Sequence, residues 1–160
     1  MNLVRLPSFI QVESAECGAA SLKILLEYYQ SFITINTSKN AIGIGRDGST
    51  GREICSAASS FGLTLLPKIL SYQRLKSEIA PPYIMFWSSN HWLVVEGFKS
   101  GYMYASDPAK GRVRYPEKAA EDNFSDLILE PIDFDTSLKK YENTNPNVNL
   151  ISLFISYKST

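Results

Sequence analysis

Between residues 16 and 30 the chain reads ECGAASLKILLEYYQ, and this stretch constrains the fold more than any other. Lys23, Glu27 and Gln30 form one narrow polar strip, and nearly everything else is apolar. A helix with so wide an apolar face has to be buried on most sides, with the polar strip as its expected solvated face. It therefore needs a large partner surface. The rest of the chain supplies one after Gly62, where LTLLPKI, PYIMFW, HWLVVEGF, YMYAS, RVRY and SDLILEP follow as short β-type runs between Gly, Pro, Ser or Asn. Helices first and neighbouring strands afterwards predict an α+β fold with an antiparallel sheet packed on the N-terminal helix.

Two further helices are predicted. Thr50 and Glu53 have capping-box spacing, so one helix is expected from about Gly51 to Phe61, ending at Gly62. SYQRLKSEI forms a short one, ended by Pro81 and Pro82. At the other end, DTSLKKYENTNPNVNLISLFISYKST has the composition of a loop or linker, and LISLFI within it is too short to cross a bilayer. The expected division is a domain over 1–135 and a tail over 136–160.

The bulk numbers remove several function classes. Lys plus Arg and Asp plus Glu both total 16, so no electrostatic hold on nucleic acid or an anionic membrane is expected. Two cysteines do not make a disulfide framework, and MNLVRLPSF lacks the apolar core of a signal peptide. A reducing, cytosolic compartment is the expectation. One His and two distant Cys offer no metal-ligand spacing, and GIGRDGSTGRE lacks the Gly-Lys-Ser/Thr of a phosphate loop, so neither a metal nor another cofactor is expected.

The chemistry centres on Cys17, placed where the apolar helix begins. Free Cys is often just a small packed residue. A helix N-terminus also stabilises a thiolate, which makes Cys17 a candidate nucleophile. A nucleophilic Cys needs a base, and His91 is the chain's single histidine, at the start of the apolar run HWLVVEGF. Glu96, five residues along, points to the opposite face of that strand. Asp107, at the Asp-Pro turn of YASDPAKGR, returns beside His91 if the two strands form a hairpin through GFKSGY, although an Asp-Pro turn is also ordinary turn chemistry. Gln11, six residues before Cys17, could join the backbone N–H of Cys17 in binding an oxyanion.

QVESAECGAASL, HWLVVEGF and DPAKGR together resemble the papain-like peptidase domain fused to bacteriocin and lanthipeptide ABC exporters, the double-glycine leader peptidases. The likeness covers about residues 5–131, and GRDGSTGREICSAASSFGL resembles the subgroup that processes leaders of larger modified-peptide families. It implies a papain-like fold and an endopeptidase that cuts after Gly-Gly or Gly-Ala at the end of a precursor's leader. Cys17 is then the nucleophile, His91 the base and later the acid, Asp107 the residue orienting it, and Gln11 an oxyanion donor. The implied partners are the leader, expected as an amphipathic helix, and transmembrane and ATP-binding domains of an exporter, with this domain at the cytosolic face. Glu16 departs from the Asp that the family often carries before its Cys, and its negative charge opposes the thiolate. Two other classes fit less of the pattern. A non-catalytic leader-docking module has no use for the Cys-His-Asp set, and an acyltransferase or amidase would use it on another substrate.

Overall fold

The computed structural model describes residues 3–43 and 47–143. A 3-10 turn over Ser14–Glu16 leads into α1 (Cys17–Tyr28), followed by α2 (Ile35–Ile42) and α3 (Gly51–Ser60). Then come β1 (Leu63–Ile69), α4 (Tyr72–Glu78), β2 (Tyr83–Trp87), β3 (His91–Lys99), β4 (Tyr102–Asp107), β5 (Gly111–Pro116), α5 (Glu117–Asn123) and β6 (Phe124–Phe134). The strands form one sheet in the order β1-β6-β2-β3-β4-β5, with every neighbouring pair antiparallel.

The expected α+β class is what forms, and the sheet is covered on both faces rather than one. On one side Leu22, Ile24, Leu25 and Leu26 of α1 and Ile54 of α3 pack with Ile84, Trp92, Val94 and Leu129. On the other, Tyr72 and Leu75 of α4 and Ala120 of α5 pack with Met85, Leu93, Val95 and Met103. Strand β3 alternates between the two cores, Trp92 and Val94 to the first and Leu93 and Val95 to the second, which is why it reads as a continuous apolar run.

Lys23 corrects the expected solvated strip, because it is buried. The N-terminal segment crosses α1 there, and the Lys23 Nζ lies 5.1 Å from the centre of the Phe9 ring. Burial lowers the ammonium's pKa, while the charge of Glu27, 3.9 Å away, opposes that. The described part of the expected tail also packs back on the domain. Phe32 N donates to Lys140 O at 2.7 Å and Glu142 N to Phe32 O at 2.9 Å. The rest of that tail, from residue 144 onward, lies outside the described residues.

The Gly62 that ends α3 has φ +85°, and a Cβ there would meet the Asp135 carbonyl oxygen at 2.9 Å. Gly62→Ala should therefore cost about 2 kcal/mol of stability, since a side chain in the left-handed region is strained before the clash is counted. Urea unfolding should show a lower midpoint at an unchanged slope, and an unchanged midpoint would contradict this account.

Candidate active site

Cys17 opens α1, on the helix end where unpaired backbone N–H groups favour negative charge. The turn before it is organised by Glu16. Glu16 Oε2 accepts from Val12 N at 3.0 Å and Glu13 N at 3.4 Å, while Oε1 accepts from Lys39 Nζ of α2 at 2.8 Å. The bond from Lys39 holds the Glu16 carboxyl below its usual range, despite burial acting the other way. The charge that the sequence sets against the thiolate is thus paired with a cation.

Gly18 has a local reason to follow the Cys. A Cβ on it would meet Ser49 Cβ at 3.0 Å, so its absence lets the loop before α3 lie close to the start of α1. Ser49 O accepts from Trp92 Nε1 at 3.0 Å, and the Trp92 ring packs on Phe86 with centroids 4.6 Å apart. These residues wall a cleft of about 400 Å³, which Ser14, Cys17, Asp47 and Asn90 also line.

His91 starts β3, and the β3–β4 hairpin sets Val94 opposite Ser106. That register brings Asp107 back to the beginning of β3. His91 Nε2–H donates to Asp107 Oδ1 at 2.7 Å, which leaves Nδ1 as the ring nitrogen for Cys17. Burial works against charge on the imidazole. Hydrogen bonds to Asp107 and Cys17, and the charges of both, outweigh it and raise the pKa to about 9. Burial would likewise raise the Asp107 carboxyl, yet the bonds from His91, Ala109 N and Tyr115 together hold it below its ordinary value. Ala109 N donates to Oδ1 at 2.8 Å and the Tyr115 hydroxyl to Oδ2 at 3.3 Å, so His91, Ala109 and Tyr115 all donate to this carboxylate.

Glu96 does not reach His91. It is fully buried elsewhere and bonded to Leu6 N and Arg112. Gln11 lies at the Asp107 end of the site, its backbone N donating to Pro108 O at 2.8 Å. Its side-chain Nε2 donates to Glu13 O at 3.0 Å, which leaves one N–H of the amide for another acceptor. Cys55 is half-buried on α3 and does not line the cleft, and burial raises its thiol's pKa.

Lys39, Tyr115 and Ser49 are absent from the sequence-based set. Nothing in the spacing marks Lys39 or Tyr115, whose contacts depend on helix packing and strand register. Ser49 precedes the capping box by one residue, but that signal predicts a helix start and no cleft wall.

Comparison with known proteins then bears on this geometry. The model of the Peptidase C39 family matches residues 5–134. A solved double glycine motif protease from an AMS/PCAT transporter, in complex with the leader peptide, superposes with a TM-score of 0.81 at 34% identity. That match covers 82% of this chain and 94% of the other. The peptidase domain of Streptococcus ComA, a bi-functional ABC transporter involved in a quorum sensing pathway, shares the fold with a TM-score of 0.73 at 18% identity, over 81% of this chain and 98% of that one. Among curated proteins, the colicin V secretion/processing ATP-binding protein CvaB of Escherichia coli is 27% identical over 111 residues, which cover 69% of this chain and 16% of that protein. The chain spans less than a fifth of the length of the curated relatives it matches.

Proposed function

The chain belongs to the Peptidase C39 family, and on that premise we propose that it is a cysteine endopeptidase which removes the leader from bacteriocin or lanthipeptide precursors, cutting after a Gly-Gly or Gly-Ala pair. The observation that carries this reading is the line from Cys17, on the wall of the cleft, through His91 to Asp107 behind it. The likeness at 34% identity to a double glycine motif protease solved with a leader peptide supports the substrate class.

In this reading the Cys17 thiolate attacks the carbonyl carbon after the second small residue. Gln11 Nε2 and the Cys17 backbone N–H receive the oxyanion as the tetrahedral intermediate forms. The intermediate collapses by expelling the amine of the mature peptide, which takes its proton from His91. Water then attacks the thioester, His91 accepts the proton, and the leader leaves with a new carboxylate. Asp107 holds the ring with Nδ1 towards Cys17 throughout.

The wall of Ser49, Trp92 and Phe86 suits a preference for glycine, because a side chain next to the scissile bond would collide with it. Affinity then comes from the leader itself, laid as an amphipathic helix on an apolar surface of the domain. In this reading residues 1–135 are the peptidase unit, 136–160 continue towards transmembrane and ATP-binding domains after Lys140 and Glu142 pair with Phe32, and the unit lies at the cytosolic face of an exporter. Among the described residues, no helix is long and apolar enough to cross a membrane.

The test is mass spectrometry of the protein mixed with a precursor whose leader ends in Gly-Gly or Gly-Ala. A single cut after the second small residue is expected. Leader binding without any cut would instead mark a docking module. Thiol reactivity gives a second check at neutral pH. Iodoacetamide should modify Cys17 at least about tenfold faster than Cys55, because Cys17 lines the cleft with His91 beside it as a base, whereas burial raises the pKa of the Cys55 thiol. In His91→Ala that advantage should disappear, and equal rates in the unaltered protein would contradict the assignment.

A further inference from the structure

Four polar anchors fix the N-terminal segment before Gln11 to the sheet. Val4 N donates to Glu96 O at 2.9 Å, and Leu6 N to Glu96 Oε2 at 2.9 Å. Pro7 O accepts from Ser106 Oγ at 2.8 Å, and Gln11 N donates to Pro108 O at 2.8 Å. The strap thus passes from β3 to β4 and ends one residue beyond Asp107. Its first two anchors both fall on Glu96, whose side chain is fully buried. Oε2 also accepts from Arg112 Nη2 at 2.6 Å, while Oε1 is buried with no hydrogen-bond partner.

A neutral acceptor would satisfy Leu6 N at a lower desolvation cost than a carboxylate does. What the carboxylate adds is strength and direction, since bonds to a charged acceptor are shorter and stiffer than neutral ones. Glu96 also sits where β3 carries an extra residue against β4, between Val95 and Gly97. That irregularity gives the side chain its place beneath the strap. Downstream, Gln11 is the last residue of the strap, and its amide is aimed by Glu13 O in the turn that Glu16 organises.

We propose that Glu96, clamped by Arg112, is a positioning residue for the peptidase reaction, which fixes the register of residues 4–11 and so the Gln11 amide. The inference rests on the reading of Gln11 as an oxyanion donor. Such donors work only when held within about 0.5 Å of the productive geometry, so a loosened strap slows the chemical step and leaves substrate binding alone.

The experiment measures kcat and KM on a Gly-Gly precursor for Gln11→Ala, Glu96→Gln, the double variant and Arg112→Lys, with a thermal melt of each. Gln11→Ala should lower kcat about a hundredfold. Glu96→Gln keeps the shape and an acceptor for Leu6, and should lower kcat about tenfold with KM within twofold of the unaltered protein. Arg112→Lys keeps the cation at a half-exposed position and should fall in the same direction, so the clamp is still testable if Glu96→Gln melts early. The deciding result is the double variant, expected to be no slower than Gln11→Ala alone because the two residues act through one donor.

Losses that multiply in the double variant would overturn the proposal, as would a rise in KM alone or slower alkylation of Cys17. Wild-type kcat in both Glu96→Gln and Arg112→Lys, beside a slow Gln11→Ala, would overturn the clamp and leave the oxyanion reading standing. Wild-type kcat in Gln11→Ala would remove that reading, and the clamp with it.

Discussion

Cys17→Ala should lower cleavage of a Gly-Gly precursor by at least about 10⁴-fold, while the fold and the affinity for the leader stay nearly unchanged. The size follows from the covalent route. Without Sγ there is no thioester, and the remaining hydrogen-bond donors assist only attack by water. The fold tolerates the change because Sγ is a small buried group at a helix start, and its removal opens a void with a cost of about 1 kcal/mol. Cys55 cannot take over. It sits half-buried on α3, away from the cleft, with a thiol whose pKa burial raises. The measurements are precursor cleavage by mass spectrometry and leader binding by fluorescence anisotropy on the same preparations. Turnover within tenfold of the unaltered protein would rule out Cys17 as the nucleophile. Lost binding together with lost cleavage would mean that the substitution disturbed the cleft as a whole.

The elements that carry this site differ in how well the sequence announces them. Strand β1 occupies Leu63–Ile69, the run LTLLPKI itself, because Gly62 on one side and the Ser71 cap of α4 on the other bound it sharply. The return of Asp107 to His91 is legible for the same reason, since a hairpin folded at Ser100 and Gly101 leaves few alternatives. Helix α2 is hidden by its polar composition. Only its ends speak for it, Thr34 Oγ1 accepting from Thr37 N and Gly43 closing it at φ +73°. Lys39 inherits that obscurity: its bond to Glu16 spans 23 positions and exists because α2 packs beside α1. Glu96 shows the limit of alternation. Its position facing away from His91 follows from period two, but its burial under the strap depends on how residues 4–11 run, and no local pattern encodes that.

Asp107→Asn should lower kcat by between about 10² and 10⁴ and move the basic limb of the pH profile. Asn is the same shape. Its carbonyl oxygen can still accept from His91 and Ala109, and its NH₂ can donate to the Tyr115 hydroxyl, which is able to accept. Orientation therefore survives and charge does not. In the unaltered protein the His91 pKa is about 9, above its ordinary 6.5. The imidazolium that protonates the leaving amine persists below that value and is lost as pH rises through it. Without the Asp107 charge, the midpoint of the basic limb of kcat/KM should fall from near 9 towards 6.5. Stability should follow the same proton. A raised histidine contributes fully below 6.5, and the contribution disappears as pH rises through about 9. The lowered Asp107 carboxyl contributes above its ordinary 3.8 and loses that contribution as pH falls through its depressed folded value. The melting-temperature gap between the two proteins should therefore be widest between these ordinary values and should narrow above pH 9. A basic limb that stays near 9 in Asp107→Asn would show that Cys17, the other group that raises the His91 pKa, supports the imidazolium by itself, and Asp107 would then be an orienting residue alone.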